Sequence, residues 1–294
     1  MTAATTLLQW YKRSGRDLPW RKTRDPYHIL VSEIMLQQTQ VDRVKLFYAR
    51  WLAEFPDWKQ LASASNTQVI HAWAGLGYNR RALMLREIAR SIVKNGVPQT
   101  QSDWQKLKGI GPYTAAAISA FAQQKRTMPI DTNIRRVLGR LLLGLPYPQL
   151  ADDEKIQKAT EVFLPKRGKF YDVPQALFDL ANDACGKIPD CGRCPLRKEC
   201  KAAEKFLRGN IVAPKQMIKK AVERKHRNKP YPDRIYRGRI LKLVREEKSA
   251  ASDAIGSIVD KTYESSLDQK WVEAMIERLV AEGFLKRKGK KLTL

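Results

Sequence analysis

Outside residues 185–200 the chain contains no cysteine. A secreted disulfide framework spreads its cysteines in pairs, so this distribution excludes that class and points to a metal site. No apolar run reaches bilayer-spanning length. The N-terminus lacks a basic start and soon turns polar, which excludes a signal peptide, and the expected location is cytoplasmic. Acidic residues are scarce: 30 Asp and Glu face 55 Lys and Arg, a formal charge of +25 with pI near 10.0. That imbalance fits a polyanionic partner, nucleic acid before an anionic membrane surface. Convincing period-two patterns are also missing before about residue 280, so the main body is expected to be all-helical.

What is present is core material and punctuation. With 43% hydrophobic residues, 294 residues suffice for one large domain or two to three modest ones. The organising stretch is 107–133. It predicts a helix ending at Leu107, a turn forced by Gly109 and Gly111, and a new helix from Pro112 to about Phe121. Such a turn frees backbone N–H groups at a helix N-terminus, where the dipole favours an anion, and Lys108 adds a cation. Small residues from Thr114 to Ala117 allow another backbone to pack closely. Asp131 precedes the apolar-periodic run Ile134, Val137, Leu138, Leu141 and so predicts an N-cap. On residue chemistry alone, a cap and nothing more is the simpler account.

A helix is expected from Asp25-Pro26 to about Thr39. Within it, Glu33 has Ile29 and Leu30 one turn back, and Leu36 and Gln37 one turn on. A carboxyl among three apolar neighbours is costly to ionise and suits proton donation near neutral pH. A helix-edge glutamate reaching water fits the same pattern. Further helices are expected near 5–12, 41–54, 67–74, 80–94, 101–107, 132–144, 152–163 and 172–184. The four cysteines, Cys185-x5-Cys191-x2-Cys194-x5-Cys200, form one compact loop. Zinc ribbons usually need two separated pairs, whereas a compact set of four suits a [4Fe–4S] cluster. Residues 201–233 carry ten Lys or Arg against three Asp or Glu, together with three prolines, as a basic linker does. Helices over 234–247 and 271–282, followed by short strands within 283–289 and 291–294, suggest a small winged-helix-like module.

Taken in order, Leu18-Pro19-Trp20-Arg21, Ser32-Glu33-Ile34-Met35-Leu36-Gln37-Gln38-Thr39-Gln40-Val41, Gly75-Leu76-Gly77-Tyr78, the Gly109–Gly111 hairpin, Asp131-x-Asn133 and the cysteine loop are recognisable. The series resembles the adenine DNA glycosylase (MutY-type) branch of the helix-hairpin-helix, endonuclease III-like superfamily over roughly residues 5–205.

The resemblance implies a mainly α, two-lobed glycosylase fold: a six-helix lobe at 26–134, and an iron–sulfur lobe from 1–25 and 135–205. The basic linker 206–233 and the winged-helix-like domain 234–294 complete the chain. It implies a monofunctional DNA glycosylase of base excision repair, acting on adenine opposite guanine or 8-oxoguanine in double-stranded DNA, as a monomer. Glu33 would protonate the base, and Asp131 would stabilise the sugar cation. Tyr113 stands where bifunctional relatives carry a Schiff-base lysine, which argues against strand cleavage.

By the same resemblance Arg21, Asp179 and Asn133 line the base pocket, and Gln37, Gln38 and Tyr78 wedge into the stack. Lys108, Gly109 and Gly111 hold a phosphate, with a monovalent cation at the hairpin. The cluster, on Cys185, Cys191, Cys194 and Cys200, would present Arg193, Arg197 and Lys198 to DNA. The chain departs from the family pattern in three ways: a first cysteine interval one residue short, Asp rather than the frequent Glu at 179, and no room after residue 233 for a nudix-like domain. Alternatives within the chemistry are mismatched thymine or hypoxanthine as target. The alternative of another class is a non-catalytic iron–sulfur DNA-binding regulator.

Overall fold

The computed structural model describes residues 2–209, 211 and 223–294. Its helices are α1 (Ala3–Ser14), α2 (Pro26–Leu36), α3 (Val41–Glu54), α4 (Trp58–Ser63), α5 (Asn66–Trp73), α6 (Arg80–Asn95), α7 (Gln101–Gln105), α8 (Pro112–Phe121), α9 (Thr132–Leu143), α10 (Asp153–Phe163), α11 (Asp172–Asp183) and α12 (Ala203–Leu207). Then follow α13 (Asp233–Glu246), strand β1 (Ala250–Ala251), α14 (Ile255–Val259), α15 (Ser265–Ala281) and strands β2 (Lys286–Lys288) and β3 (Lys291–Thr293). The all-helical expectation for the main body therefore holds among the described residues. Most of residues 210–222, the centre of the expected basic linker, lie outside the described residues.

Contacts divide the chain into two compact units. The described residues of Met1–Lys45 and Asn95–Met217 form one, and those of Leu46–Lys94 and Ile218–Leu294 the other. The first unit's core joins Leu7 of α1 to Ile134, Val137, Leu138 and Leu141 of α9, Ile156 of α10 and the apolar face of α11. α9 explains itself locally. Asp131 caps its start, its apolar positions recur at helical spacing, and Gly144, at φ +67°, ends it in the left-handed conformation. In the same unit α8 buries Thr114 to Ala120, and α2 packs against it. The small side chains there permit the close approach expected of them.

In the second unit Trp51 packs edge-to-face against both Phe55 and Trp73. The C-terminal helices and strands enclose their own core of Tyr236, Ile240, Ile255, Trp271, Ile276 and Leu292, among others. Ile70 of α5 is part of that core, with Leu83 of α6 packed on it. Asn66 donates to the Gly283 carbonyl at 2.6 Å, and Arg80 pairs with Glu282 at 3.0 Å. Lys229 is buried between Asp260 and Asp268, 2.6 Å from each. The three strands pair antiparallel in the order β1-β3-β2.

Several expectations need correction. α2 stops at Leu36 rather than about Thr39, because Gln37 leaves the helical conformation at ψ 110° and Gln38 then turns to φ +56°. Only Gly109 of the hairpin pair has positive φ, +95°; Gly111 is extended at φ −83°, and a Cβ there would meet nothing. α15 begins six residues before the expected 271, and α4, α12, α14 and β1 are additional elements.

Gly139 lies inside α9, where a Cβ would stand 2.7 Å from both Cβ and Cγ of Pro148. Alanine would gain about 1 kcal/mol of helix propensity. Overpacking against a rigid ring costs about 1–3 kcal/mol, so the second effect wins. Gly139→Ala is expected to lower the urea midpoint with an unchanged m-value.

Candidate active site

Glu33 lies mid-way along α2 and is buried, with 8% of its surface exposed. Ile29 and Leu30, one turn back, are buried with it. Tyr113, in the first turn of α8, donates its hydroxyl to Glu33 Oε2 at 2.9 Å. Burial pushes the Glu33 carboxyl up to about 7; the tyrosine hydrogen bond opposes this and the charge of Asp131 adds to it. The Tyr113 phenol is itself held well above its ordinary value by burial and by the two carboxyls. It is therefore a neutral donor across the working range. The buried alternative for Glu33 prevails over the water-facing one.

Asp131 is the N-cap expected of it. Its Oδ1 accepts from the Ile134 N–H at 2.7 Å, and its Oδ2 from Asn133 Nδ2 at 2.9 Å. Burial raises this carboxyl's pKa, while the Ile134 and Asn133 donors and the nearby Arg136 pull it back. Asn133 thus positions Asp131. The two carboxyls share one neighbourhood in unlike surroundings. One is buried among apolar side chains with a single donor, the other holds two hydrogen bonds and faces an arginine. Environments of this kind separate an acid from an anion. A cap and a chemical role are compatible, because the hydrogen bonds that cap the helix favour the ionised form.

Before α8 the chain turns at Lys108 and Gly109, both exposed. Ile110, buried, donates to the Leu107 carbonyl at 3.0 Å and anchors the turn. α8 starts from Gly111 with no side-chain cap, which leaves its first N–H groups for an anion. Gln37 and Gln38 are exposed just beyond α2. In the other unit Tyr78 is 52% exposed and held at φ +49°. The Trp73 indole and Arg81 both donate to the Gly77 carbonyl, and Arg81 lies over the Tyr78 ring. Gln38 and Tyr78 are non-glycine residues with left-handed backbones, conformations that cost energy and often mark working positions.

Arg21 and Asp179 form a bidentate pair, both contacts 2.8 Å. Arg16, which the sequence did not single out, completes the set through its backbone N–H at 2.9 Å and its Nε at 2.6 Å. Burial alone would raise the Asp179 carboxyl, but these arginines hold it below the usual range. With four donors the carboxylate is saturated, and its chemistry passes through Arg21. Arg21 opens on a cavity of about 310 Å³ walled by Tyr11, Trp20, Arg24 and Tyr171. Glu33 and Asp131 do not line that cavity.

The four cysteines line one small cavity, together with Arg140, Arg197 and Phe206. No disulfide joins them. Among the described residues no three His, Cys, Asp or Glu side chains gather tightly enough for a single metal ion. Burial pushes the Cys194 thiol up to about 11, and burial and the neighbouring thiols raise Cys191 and Cys200 as well. Cys191, Cys194 and Cys200, raised in this way, need a cationic core to become thiolates. Arg140, 1% exposed, points one nitrogen at Cys185 Sγ at 3.4 Å and donates to the Gly186 and Lys187 carbonyls at 2.7 and 2.9 Å. Its ring contacts are Tyr147 and Phe206. The donor set and its buried cation fit an anionic iron–sulfur group. Arg193, expected to face DNA, is engaged by Asp183 and Asp190. No sequence signal distinguished Arg140 from its many basic neighbours.

The turn between α7 and α8 thus brings Tyr113 to the buried Glu33, and Asp131 caps the next helix, α9. Residues 31–166 match the HhH-GPD superfamily of base excision DNA repair proteins. The adenine DNA glycosylase of Mycolicibacterium smegmatis (strain ATCC 700084 / mc(2)155) is 32% identical over 281 residues, 92% of either chain. That of Mycobacterium tuberculosis (strain CDC 1551 / Oshkosh) is 39% identical over 197 residues, 65% of this chain and 65% of the relative. The match thus spans slightly less than two thirds of the tuberculosis protein's length. Among solved structures, a thermostable thymine-DNA glycosylase superposes with TM-score 0.63 at 30% identity, covering 69% of this chain and 95% of that one. The chain belongs to the adenine DNA glycosylase family, as its motif order implied. Among the described residues no helix is long and apolar enough to cross a membrane.

Burial of Glu33 has a consequence for stability. Its folded value of about 7 exceeds the ordinary 4.5, so the unfolded chain ionises first as pH rises. Below the ordinary value the neutral carboxyl costs nothing, and the penalty grows until pH passes about 7. Glu33→Gln removes it. The variant is expected to be more stable than the parent by up to about 3 kcal/mol at pH 8 and unchanged near pH 4, in denaturant titrations at both values.

Proposed function

We propose that the protein hydrolyses the N-glycosidic bond of adenine mispaired with guanine or 8-oxoguanine in double-stranded DNA, releasing the base without cutting the strand. The observation that carries this is the pairing of Glu33, buried and with its carboxyl pushed up to about 7, with Asp131, whose carboxyl is raised by burial but accepts hydrogen bonds from Ile134 and Asn133 that favour its ionised form. Family membership supplies the substrate class. A base rotated out of the stack brings its purine N7 to Glu33, which transfers a proton so that adenine leaves neutral. Electron loss from the sugar then places positive charge near C1′, and the Asp131 carboxylate stabilises that cation. Glu33, now ionised, takes a proton from the attacking water. General acid catalysis supplies roughly 10²–10⁴-fold, and the rest is asked of electrostatics and positioning.

Tyr113 is a phenol and forms no imine with the sugar, which supports base removal without lyase action. Its hydroxyl holds the Glu33 oxygen in place. Gln37, Gln38 and Tyr78 would enter the duplex, and the N–H groups beside Gly109 and Gly111 would receive a phosphate. Arg21, fixed by Asp179, would border the base. Cys185, Cys191, Cys194 and Cys200 would hold a [4Fe–4S] cluster, one thiolate to each iron, a wider spread of sulfurs than one zinc ion takes. These four cysteines would then be cross-linked across the loop after α11, and Arg140, beside Cys185, would offset the negative charge of the group. Cys185→Ser is expected to lose iron by metal analysis and to lower the melting temperature.

Duplexes carrying A opposite 8-oxoguanine, A opposite G, T opposite G, and hypoxanthine, each assayed with and without alkali, test the assignment. Adenine release that yields nicks only after alkali is expected. Preferential release of thymine, the base in the name of the thermostable structural relative, would move the substrate assignment; nicking without alkali would contradict the role of Tyr113. Single-turnover rates should fall as pH rises through about 7, where Glu33 loses its proton. Glu33→Gln should retain duplex binding and lose at least about 10²-fold in rate.

A further inference from the structure

The C-terminal module ends in a concentration of charge that the excision chemistry does not use. Lys286, Arg287, Lys288, Lys290 and Lys291 place five cations in six residues. They form the β2–β3 hairpin, in which Lys286 faces Thr293, Arg287 faces Leu292 and Lys288 faces Lys291. Side chains alternate across a strand, and directly opposed residues share a face. Leu292 is fully buried in the module's core, so the Arg287 side is the inner one. Arg287 is bound there by Glu273 and Glu277 of α15. Lys286, Lys288 and Lys291 therefore share the outer face, and all three are exposed. Lys290 at the turn pairs with Asp253 at 2.8 Å, whereas these three make no ion pair among the described residues.

Two details separate this face from an ordinary solvated surface. Lys288 and Lys291 stand directly opposite each other, an arrangement that destabilises a hairpin unless an anion lies over it. Lysines on an outermost strand also guard against edge-to-edge association. That accounts for Lys286 and Lys288 on β2 but not for Lys291, because β3 is the middle strand. The module's other contacts, Ile70 and Asn66, are already filled within its unit.

We propose that the outer face of the β2–β3 hairpin is a second duplex-binding element, in which Lys286, Lys288 and Lys291 contact backbone phosphates without reading sequence. Residues two apart on a strand are about 6.6 Å apart, and an opposed pair adds a second row. Such a row suits a polyanion of closely spaced charges better than a single small anion. The choice of DNA over another polyanion rests on the function proposed above. The element would hold the enzyme on undamaged DNA between lesions, while chemistry stays with Glu33 and Asp131.

The test uses the full chain with Lys286→Gln, Lys288→Gln and Lys291→Gln combined, and a control with the same three positions as arginine. Affinity for a short undamaged duplex is measured against salt concentration, alongside single-turnover base release at saturating enzyme and thermal melting. Each lost phosphate contact should flatten the slope of log K against log salt by about 0.9, so a slope shallower by two to three is expected. The arginine control should keep the parental slope, and base release at saturation should be unchanged. An unaltered slope with normal melting overturns the proposal. So does a defect confined to anionic phosphatidylserine vesicles, which would assign the face to a membrane surface. If the parent releases no base yet the slope still falls, the glycosylase assignment fails and this one stands. If base is released and the slope does not move, only this proposal fails.

Discussion

A carboxyl that stays protonated near neutral pH is what the rest of the first unit depends on. Keeping Glu33 in that state takes an apolar helix around it, a second helix of small residues packed close against it, and a negative neighbour, together outweighing the opposing hydrogen bond from Tyr113. α2 supplies the first, α8 the second and Asp131 the third. Each is ordinary on its own. Glu33 in water would ionise and lose its capacity to donate, and α8 with bulky side chains could not bring the tyrosine hydroxyl within 2.9 Å. The stability cost of burying an acid is concentrated at one residue, as is common where local rules are broken for chemistry.

Two further anchors work by saturation. Asp179 is surrounded by donors from Arg16 and Arg21, which fixes Arg21 in one orientation beside a cavity. Arg140 is treated the same way from the opposite sign. Its donors point to the Pro146, Gly186 and Lys187 carbonyls and to Cys185 Sγ, and aromatic rings lie against it. A buried charge with nearly every hydrogen-bonding site used is specific in geometry even where its net contribution to stability is small.

Much of this was legible in the sequence, for identifiable reasons. Asp131 announced itself because a cap is a short-range pattern: a residue type at a fixed offset from an apolar period. The surroundings of Glu33 could be read from positions three and four away on one helix, which settled that it was crowded but not that it was buried. Its partner Tyr113 lies 80 residues on, and local spacing carries no information about such a meeting. The same limit hid Arg16, whose partner Asp179 is 163 residues distant, and Arg140 among many basic residues. Short elements escaped as well. α4, α14 and β1 are too brief to establish a period. Gln37 and Gln38 break α2 early without a glycine to signal it, while Gly111, which looked like a conformational necessity, takes an extended backbone open to any residue.

The burial of Ile70 within the C-terminal core bears on how this chain can be altered. A tail that shares its hydrophobic interior with the preceding helices is not an appendage on a leash. Deleting it, or grafting another terminal domain in its place, would uncover apolar side chains on α5 and α6 and strand the Asn66 amide that now meets Gly283. Recombination among relatives of unequal length would therefore succeed only where the donor brings a matching underside, so these helices and the tail are bound to change together.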